Sequence, residues 1–535
     1  METKMKKKIQ QKAGMAAAVI LTVVLGVLLF HNHWEFELPG YPNVDEQLSL
    51  DCIYNLMNQH LYAGDIYILD FFRYPHLTFY YAVVGVRILG KVLAGMDTVI
   101  LLRYVVCGTA ILSNICLYFA VKIMTGSRKW GYIGLLLGTF SLYSYSYLFY
   151  TGPDTLMYAV ANVILLLGCV VYQEKQEDRA VYLWYPLLAI CIGLAMAAKY
   201  HGILFGLFWL ALHIHKKYYK NYRNNFLFFI NCIVLALVFV VCNYSLLFYF
   251  KDFVGDNMYN LNHYAWGHPG IEHNLPLLGY VEVYGFTSYG VIGALLLLLG
   301  IVRLIRQKDW KQLVVFLLMP VVMILLLARY QIVLGRNLSL VIPYAFLFML
   351  YGLMEIDRLV KEKFLKRKPW NRNAIWVVVL VLVGANVITV VGNYRYDLTY
   401  TQAEQAITEQ IPEGSTIYCT SYAPQFDQNK YEVVEIGEDI SLLPEQLAEG
   451  EYYIDVEYAT GYFTQQKDYL ICRRGDMYPD KKAAYLEKIG AYTLQQTYQG
   501  ISYGKEWKYR VGYLDIFRYS PEKYYVGPTI SIYSH

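Results

Sequence analysis

Two adjacent carboxylates, Asp45 and Glu46, lie shortly after the first apolar stretch of the chain, which runs over 16–30. Lysines are concentrated before that stretch, and a lysine-rich flank of this kind stays on the cytosolic side of a membrane. The two carboxylates are therefore expected at the outer face, near the lipid headgroups. A carboxylate held there could act as the general base of an enzyme whose donor is linked to a lipid.

Other ionisable residues are expected at the same membrane level, at the outer ends of predicted spans. They are Arg73, His76, Asp154, Lys199, Arg329 and Arg336. Carboxylates and cations that converge in this way suit group transfer from a lipid phosphate. Asp45 could take the proton of an acceptor hydroxyl, and Lys199 with an arginine could stabilise the departing phosphate.

Each of these residues also has a structural interpretation. Asp45 and Glu46 could cap a helix that begins near Gln47, and Asp154 could cap the span that follows it. Lys199 could extend its ammonium group to the membrane interface from between two spans. Arg336 could bind lipid headgroups without taking part in catalysis. The expected position of all of them on one side of the membrane favours a shared site.

The composition is that of a polytopic membrane protein. Of 535 residues, 57% are hydrophobic and 16% are charged, whereas about 25% are charged in a soluble globular protein. The net charge of +4 is spread along the chain, so no basic patch predicts a nucleic-acid partner. The lipid bilayer is the predicted environment.

Apolar stretches of spanning or nearly spanning length recur through the first 394 residues. They cover 16–30, 98–121, 131–149, 156–172, 181–198, 201–214, 226–250, 284–302, 312–328, 338–356 and 374–392. A further stretch over 75–92 is long enough to span but carries Arg87 and Lys91. The sequence therefore leaves either eleven or twelve spans.

The distribution of lysine and arginine favours eleven spans. If 75–92 lies flat at the outer interface, the predicted cytosolic segments carry 25 lysines and arginines and the short outer loops carry five. A crossing at 75–92 would reverse that bias and violate the positive-inside rule. We therefore predict interfacial helices in the first outer loop, a cytoplasmic N-terminus and an extracytoplasmic C-terminus.

A change to mixed polar composition after Asn393 predicts a second domain over 395–535, behind a membrane domain over 1–394 whose first outer loop is 31–97. A helix is expected over 399–410. Strands are expected over 416–420, 431–436, 468–472 and 529–533, with helical stretches over 440–449 and 480–489. The pattern predicts a small α/β domain on the outer face.

Two smaller features are left open by the sequence. His263, His268, Glu272 and His273 share the loop 251–283 and could ligate a metal, but their spacing matches no familiar zinc site, and an aromatic loop that shapes a cavity is the alternative. A divalent cation therefore stays an open expectation.

Cys419 and Cys472 both lie in the polar region after Asn393, where a disulfide between them is an option.

In these residues the chain resembles bacterial members of the GT-C superfamily of polyprenyl-phosphate-sugar-dependent glycosyltransferases. The group it resembles contains the protein O-mannosyltransferases and aminoarabinose transferases. The resemblance rests on short motifs in a fixed order along the whole chain. They are Asp45-Glu46, Tyr74-Pro-His-Leu77, Asp154, Ala198-Lys-Tyr-His-Gly202, Arg336 with Pro343, and Gly527-Pro-Thr-Ile-Ser-Ile-Tyr533. His76 and Asn337 depart from the family's proline and tyrosine, which bears on the donor sugar.

The resemblance implies an inverting transfer of a sugar from a polyprenyl-phosphate donor to an acceptor at the outer leaflet. Asp45 would be the base, with Glu46 and Asp154 orienting the acceptor or holding a cation. Lys199 and Arg336 would bind the donor phosphate, with Arg73 and His76 as second candidates. The acceptor class stays open among a protein, a glycolipid and a cell-wall polymer.

Two other functions are compatible with a polytopic chain. A transporter or flippase of lipid-linked sugars usually carries ionisable residues deep within its spans, and this sequence has few there. An inert membrane anchor for the C-terminal domain would need neither many spans nor charged loops at one level.

Overall fold

The computed structural model describes most of the chain. The described ranges are 16–29, 44–58, 69–148, 150–266, 275–286, 288–330, 332–364, 374–393, 399–420, 423–424, 426–427, 429–436, 439–456, 479–499 and 529–535. The side chain of Asp45 lies outside the described part, although the backbone of this residue lies within it.

Helices dominate the described residues up to position 393, because a backbone in lipid must satisfy its amides within its own segment. In chain order they are α1 (Ala16–Leu29), α2 (Val44–Asn58), α3 (Leu77–Val92), α4 (Thr98–Thr125), α5 (Arg128–Thr139), α6 (Leu142–Tyr147), α7 (Pro153–Gln173), α8 (Glu177–Ala198), α9 (Phe205–His215), α10 (Tyr222–Cys242), α11 (Phe250–Trp266), α12 (Pro276–Phe286), α13 (Gly290–Arg306), α14 (Trp310–Leu327), α15 (Ile342–Leu359) and α16 (Ala374–Asn393). Short 3-10 turns occur at Tyr200–Leu204, Tyr244–Leu247 and Gly335–Leu338.

Five of the described helices, α4, α7, α8, α10 and α14, are long and apolar enough to cross a membrane. The bent pair of α12 and α13 makes a sixth if it is counted as one span, and α1 and α16 are shorter apolar helices. Every apolar stretch predicted as a span contains a helix. The helical membrane fold class is therefore confirmed, whereas the count of eleven spans is not.

The stretch predicted as one span over 131–149 is two helices, α5 and α6, with a break at Phe140 and Ser141. Ser141 caps α6, because its hydroxyl accepts a hydrogen bond from the amide of Ser144 at 3.1 Å. A serine in this position satisfies an amide that the new helix leaves open. The loop that follows α6 leads directly into the site described below.

Helix α3 occupies the stretch that the charge distribution placed at the membrane interface. It has 16 residues, fewer than the helices of spanning length described above. One face, which includes Phe79, Ala82 and Val86, is buried, while Val84 and Ile88 are exposed. The exposed side of α3 also carries Arg87 and Lys91, so apolar and charged side chains share it.

Helices α13 and α15 approach each other closely at glycines. A Cβ atom added to Gly300 would lie 1.9 Å from the carbonyl oxygen of Phe348, and one added to Gly352 would lie 2.0 Å from that of Leu296. Small residues allow membrane helices to pack backbone against backbone in this way. The contact fixes α15, whose preceding turn carries Arg336.

We expect Gly300→Ala to lower the free energy of unfolding by about 1–3 kcal/mol, because the added methyl group forces two packed backbones apart. Thermal unfolding of the purified protein in detergent measures this change. Gly206→Ala in α9 is the matched control, since the added Cβ there would meet no atom within 4 Å from another part of the described chain. Equal melting temperatures for the two variants would contradict the proposed packing.

The C-terminal region forms a five-stranded sheet of β1 (Thr416–Cys419), β2 (Glu432–Glu435), β3 (Glu451–Val456), β4 (Thr493–Tyr498) and β5 (Ile530–Ser534), in the order β2-β1-β3-β5-β4. The first three strands in that order are parallel, and β5 is antiparallel to both of its neighbours. Two further helices are α17 (Thr399–Gln410) and α18 (Pro479–Gly490). Residues of α17 and α18 belong to separate apolar clusters, each of which includes strand residues.

The strands predicted over 416–420, 431–436 and 529–533 are confirmed, as are the helices over 399–410 and 480–489. The helix predicted over 440–449 is wrong: a single 3-10 turn, Ile440–Leu442, ends before Pro444, because proline disfavours a helical conformation in the residue before it. The sequence prediction missed β3 and β4. The strand predicted over 468–472 and the domain boundary after 394 fall outside the described residues.

Candidate active site

A small cleft gathers residues from four distant parts of the chain. It lies where the start of α2, the segment before α3, the α6–α7 loop and the turn before α15 meet. The lining residues are Glu46, Tyr74, Tyr147, Tyr150, Thr151, Gly152, Pro153, Asp154 and Arg336. Three residues predicted as site residues, Glu46, Asp154 and Arg336, therefore share one cleft.

Glu46 is held by a fully buried ion pair with Arg103 of α4. The guanidinium donates from Nη2 to Oε2 at 2.9 Å and from Nε to Oε1 at 3.3 Å, and neither side chain is exposed. The amide of Thr151 also donates to Oε1, at 3.1 Å. A two-pronged pair of this kind fixes orientation as well as charge, so Glu46 joins α2, α4 and the α6–α7 loop.

Asp154 lies in the first turn of α7, directly after Pro153 at the helix start. Proline suits this position because its missing amide hydrogen has no partner there, and a carboxylate is favoured by the positive end of the helix dipole. Oδ1 of Asp154 accepts from Nζ of Lys199 at 2.7 Å and from the hydroxyl of Ser339 at 3.5 Å. The predicted carboxylate and the predicted cation are thus direct partners.

Lys199 ends α8 in an extended conformation, with the turn Tyr200–Leu204 after it. Its Nζ also donates to Oδ1 of Asn337 at 3.0 Å, and the residue is buried. Lys199 reaches the cleft through Asp154, since it is not itself among the lining residues. The ammonium group of Lys199 therefore faces buried polar partners and does not extend to the membrane interface.

Arg336 lies in the turn Gly335–Leu338, which Tyr143 and Tyr147 brace. The hydroxyl of Tyr143 donates to the carbonyl oxygens of Gly335 and Arg336, at 3.4 Å in both cases. A Cβ atom on Gly335 would lie 2.3 Å from the hydroxyl oxygen of Tyr147, so a larger residue there would require the tyrosine ring to move. The turn therefore presents Arg336 to the cleft from a fixed backbone.

The structure does not bring Arg73 to the cleft. Its Nε lies 3.8 Å from Asp256 of α11, and its guanidinium stacks on Tyr259 at 4.1 Å.

His76 also lies away from the cleft, buried and stacked on Phe72. Burial lowers the pKa of His76 to about 4, so the imidazole is neutral near pH 7 and carries no charge for a phosphate. Arg73 and His76, the second candidates for donor binding, therefore make contacts in the segment before α3 and do not line the cleft.

Asp45 is placed by its backbone alone, in the first turn of α2 next to Glu46. Glu46 faces Arg103. The role of Asp45 stays a proposal that rests on its position beside the cleft.

Sequence reasoning missed several residues of the cleft. Thr151 is buried, and its hydroxyl has no hydrogen-bond partner among the residues that the structure describes. Tyr74, Tyr147 and Tyr150 supply aromatic walls. The one signal for Thr151 was its position three residues before Asp154, in Tyr150-Thr-Gly-Pro-Asp154.

No group of three or more His, Cys, Asp or Glu side chains that could hold a metal occurs among the described residues. His268, Glu272, His273 and the side chain of His263 lie outside them. Cys419 is buried and unpaired within the described part, and Cys472 lies outside it. The expectations of a divalent cation and of a disulfide therefore stay as the sequence left them.

No protein-family model and no curated protein matches the chain. Among solved structures, ArnT from Cupriavidus metallidurans in the apo state matches with a TM-score of 0.53 and 13% identity, over 84% of this chain and 95% of that chain. The archaeal oligosaccharyltransferase AglB from Archaeoglobus fulgidus, in complex with an inhibitory peptide and a dolichol-phosphate, matches with a TM-score of 0.49 and 12% identity, over 91% of this chain and 73% of that chain. The likeness to ArnT shows that the two chains share a fold.

Proposed function

We propose that this chain, which has the GT-C fold, transfers a sugar from a polyprenyl-phosphate donor to an acceptor at the outer leaflet, with inversion and with Asp45 as the base. The observation that carries the proposal is the cleft in which Glu46 and Asp154 stand with Arg336. ArnT, whose fold the chain shares, has also been solved bound to undecaprenyl phosphate. The flippase alternative needs no base and no bond cleavage.

In the proposed reaction Asp45 accepts the proton of an acceptor hydroxyl as its oxygen attacks the anomeric carbon of the donor sugar. The bond from that carbon to the phosphate oxygen breaks, and polyprenyl phosphate leaves with the bonding electron pair. Attack opposite the leaving group inverts the anomeric centre. The reaction thus needs a base on one side of the sugar and a cation on the other.

Arg336 is the cation that the geometry favours for the departing phosphate, because it lines the cleft. Lys199 acts through Asp154, whose carboxylate it holds at 2.7 Å. Glu46, anchored by Arg103, supports the helix start that carries Asp45. The aromatic walls of Tyr74, Tyr147 and Tyr150 offer apolar faces of the kind that pack against sugar rings and isoprenoid chains.

We expect Arg336→Ala to weaken binding of undecaprenyl phosphate about 10–100-fold, since charge-assisted hydrogen bonds to a phosphate contribute roughly 1.5–3 kcal/mol. The affinity is measured by adding undecaprenyl phosphate to the purified protein in detergent and recording the shift in its melting temperature. Arg329→Ala is the matched control, because Arg329 is exposed and does not line the cleft. Equal affinity of both variants would remove Arg336 from the proposed site.

The proposed topology has eleven spans, with the N-terminus in the cytoplasm and the C-terminal domain outside the cell membrane. Its support is the charge distribution between predicted loops, which the positive-inside rule interprets. A Ser127→Cys variant whose thiol reacts with a membrane-impermeant reagent added from outside would contradict this topology. The acceptor, whether a protein, a glycolipid or a cell-wall polymer, would meet the donor on the outer side.

A further inference from the structure

Asn337 occupies the centre of a polar chain that runs from the cleft to helix α11. Its Oδ1 accepts from Nζ of Lys199 at 3.0 Å, and its Nδ2 donates to the hydroxyl of Tyr264 at 2.9 Å. Lys199 in turn donates to Asp154 at 2.7 Å. Asn337 is 1% exposed, so these contacts form in an interior where geometry is tightly held.

The orientation of the Asn337 amide follows from its partners. An ammonium group can only donate, so the atom that faces Lys199 must be the amide oxygen, and the amide nitrogen must face Tyr264. Two of the three ammonium hydrogens of Lys199 are used by Asp154 and Asn337, with no further partner among the described residues. The amide therefore fixes the ammonium, and the ammonium fixes the carboxylate that lines the cleft.

Helix α11 also contacts Phe72 and Arg73, the two residues directly before Tyr74. Asp256 accepts from the amide of Phe72, and the side chain of Asn260 donates to the carbonyl of Arg73 at 3.0 Å. Phe253 packs edge-on against Phe72, with ring centroids 5.7 Å apart. One helix thus contacts the residues that precede Tyr74 and the residue that follows Arg336, and both Tyr74 and Arg336 line the cleft.

We propose that α11 positions the two walls of the cleft, and that Tyr264 and Asn337 are the positioning residues through which it sets Lys199 and Asp154. Neither residue needs to touch the substrate. Only the kinetic readout of this inference rests on the proposed function. The link itself is a property of the folded chain and can be measured without a donor.

The first test is a double-mutant cycle on sugar release from a polyprenyl-phosphate sugar. We expect Asn337→Leu to lower kcat about 10–100-fold, as displacement of a positioned group does, and Tyr264→Phe to lower it about threefold to tenfold. The double variant should be no slower than Asn337→Leu, because both changes break one chain. Undecaprenyl phosphate affinity should stay within about threefold, since Arg336 is retained.

Tyr330→Phe is the matched control. Tyr330 packs against the ring of Tyr264, with centroids 5.8 Å apart, but takes no part in the hydrogen bonds of the chain described above. We expect its kcat to equal that of the wild type. Additive effects in the cycle, or a Tyr264→Phe variant as active as the Tyr330→Phe variant, would overturn the inference.

The second test does not depend on the proposed function. The rate at which sulfo-NHS-acetate modifies Lys199, read by peptide mass spectrometry, should rise at least about threefold in Asn337→Leu and in Tyr264→Phe, because a lost hydrogen bond frees the amine more often. Tyr330→Phe should react like the wild type. Unchanged labelling in all variants would overturn the inference, whereas a wild type that neither binds nor cleaves the donor would overturn the proposed function instead.

Discussion

Arg103→Met should lower the free energy of unfolding by about 3–5 kcal/mol and abolish sugar transfer, because it leaves the carboxylate of Glu46 buried without its partner. Both side chains are fully buried, and the guanidinium contacts both carboxylate oxygens. The amide of Thr151 would still donate to Glu46, but one neutral donor does not compensate a buried carboxylate charge. Thermal unfolding in detergent and a transfer assay measure the two effects.

A second variant separates stability from activity. The double replacement Glu46→Met with Arg103→Met removes both charges, so its stability should return close to that of the wild type. Its activity should not return, since the anchor of the α2 start is gone. Arg87→Met, an exposed arginine of α3, serves as the control and should unfold like the wild type. An Arg103→Met protein that unfolds at the same temperature as the Arg87→Met control would contradict the buried ion pair.

Asp45→Asn should reduce transfer about 10²–10⁴-fold, the range that a positioned general base contributes. The change keeps size and hydrogen-bonding capacity but removes the proton acceptor, so expression and undecaprenyl phosphate affinity should stay unchanged. The rate of sugar transfer under single-turnover conditions isolates the chemical step. Asp51→Asn, on the exposed part of the same helix, is the matched control. Wild-type transfer by Asp45→Asn would assign the base to another residue.

Much of the helical organisation could be predicted from the sequence, because an apolar stretch has few ways to satisfy its backbone in lipid. The neighbourhood of Glu46, Asp154, Lys199 and Arg336 could also be predicted. Their grouping followed from a count of charges in loops and needed no knowledge of contacts. Helix ends were less predictable, as the break at Ser141 shows.

The partners within the site could not be predicted. Arg103 lies inside an apolar stretch, and it meets Glu46 across 57 positions of sequence, a distance at which helical periodicity carries no information. Asn337 stood out only as a departure from a family pattern, and its amide proves to join Lys199 to Tyr264. Pairing of this kind depends on how helices pack, which local propensity does not determine.

In the C-terminal sheet, β3 was not predicted for a related reason. Its sequence, Glu451-Tyr-Tyr-Ile-Asp-Val456, has two charged positions and no strict alternation, and it is a strand because it pairs with β1 on one side and β5 on the other. Such central strands owe their form to neighbours rather than to propensity.

Sugar transfer by the purified chain is measured in liposomes that contain a radiolabelled polyprenyl-phosphate sugar. We expect the wild type to cleave the bond between sugar and phosphate. Label then leaves the lipid fraction for an acceptor or for water, and free polyprenyl phosphate accumulates. Asp45→Asn should show neither product. Label that crosses the bilayer still attached to its lipid, without any cleavage, would contradict the proposed transferase activity and identify a flippase.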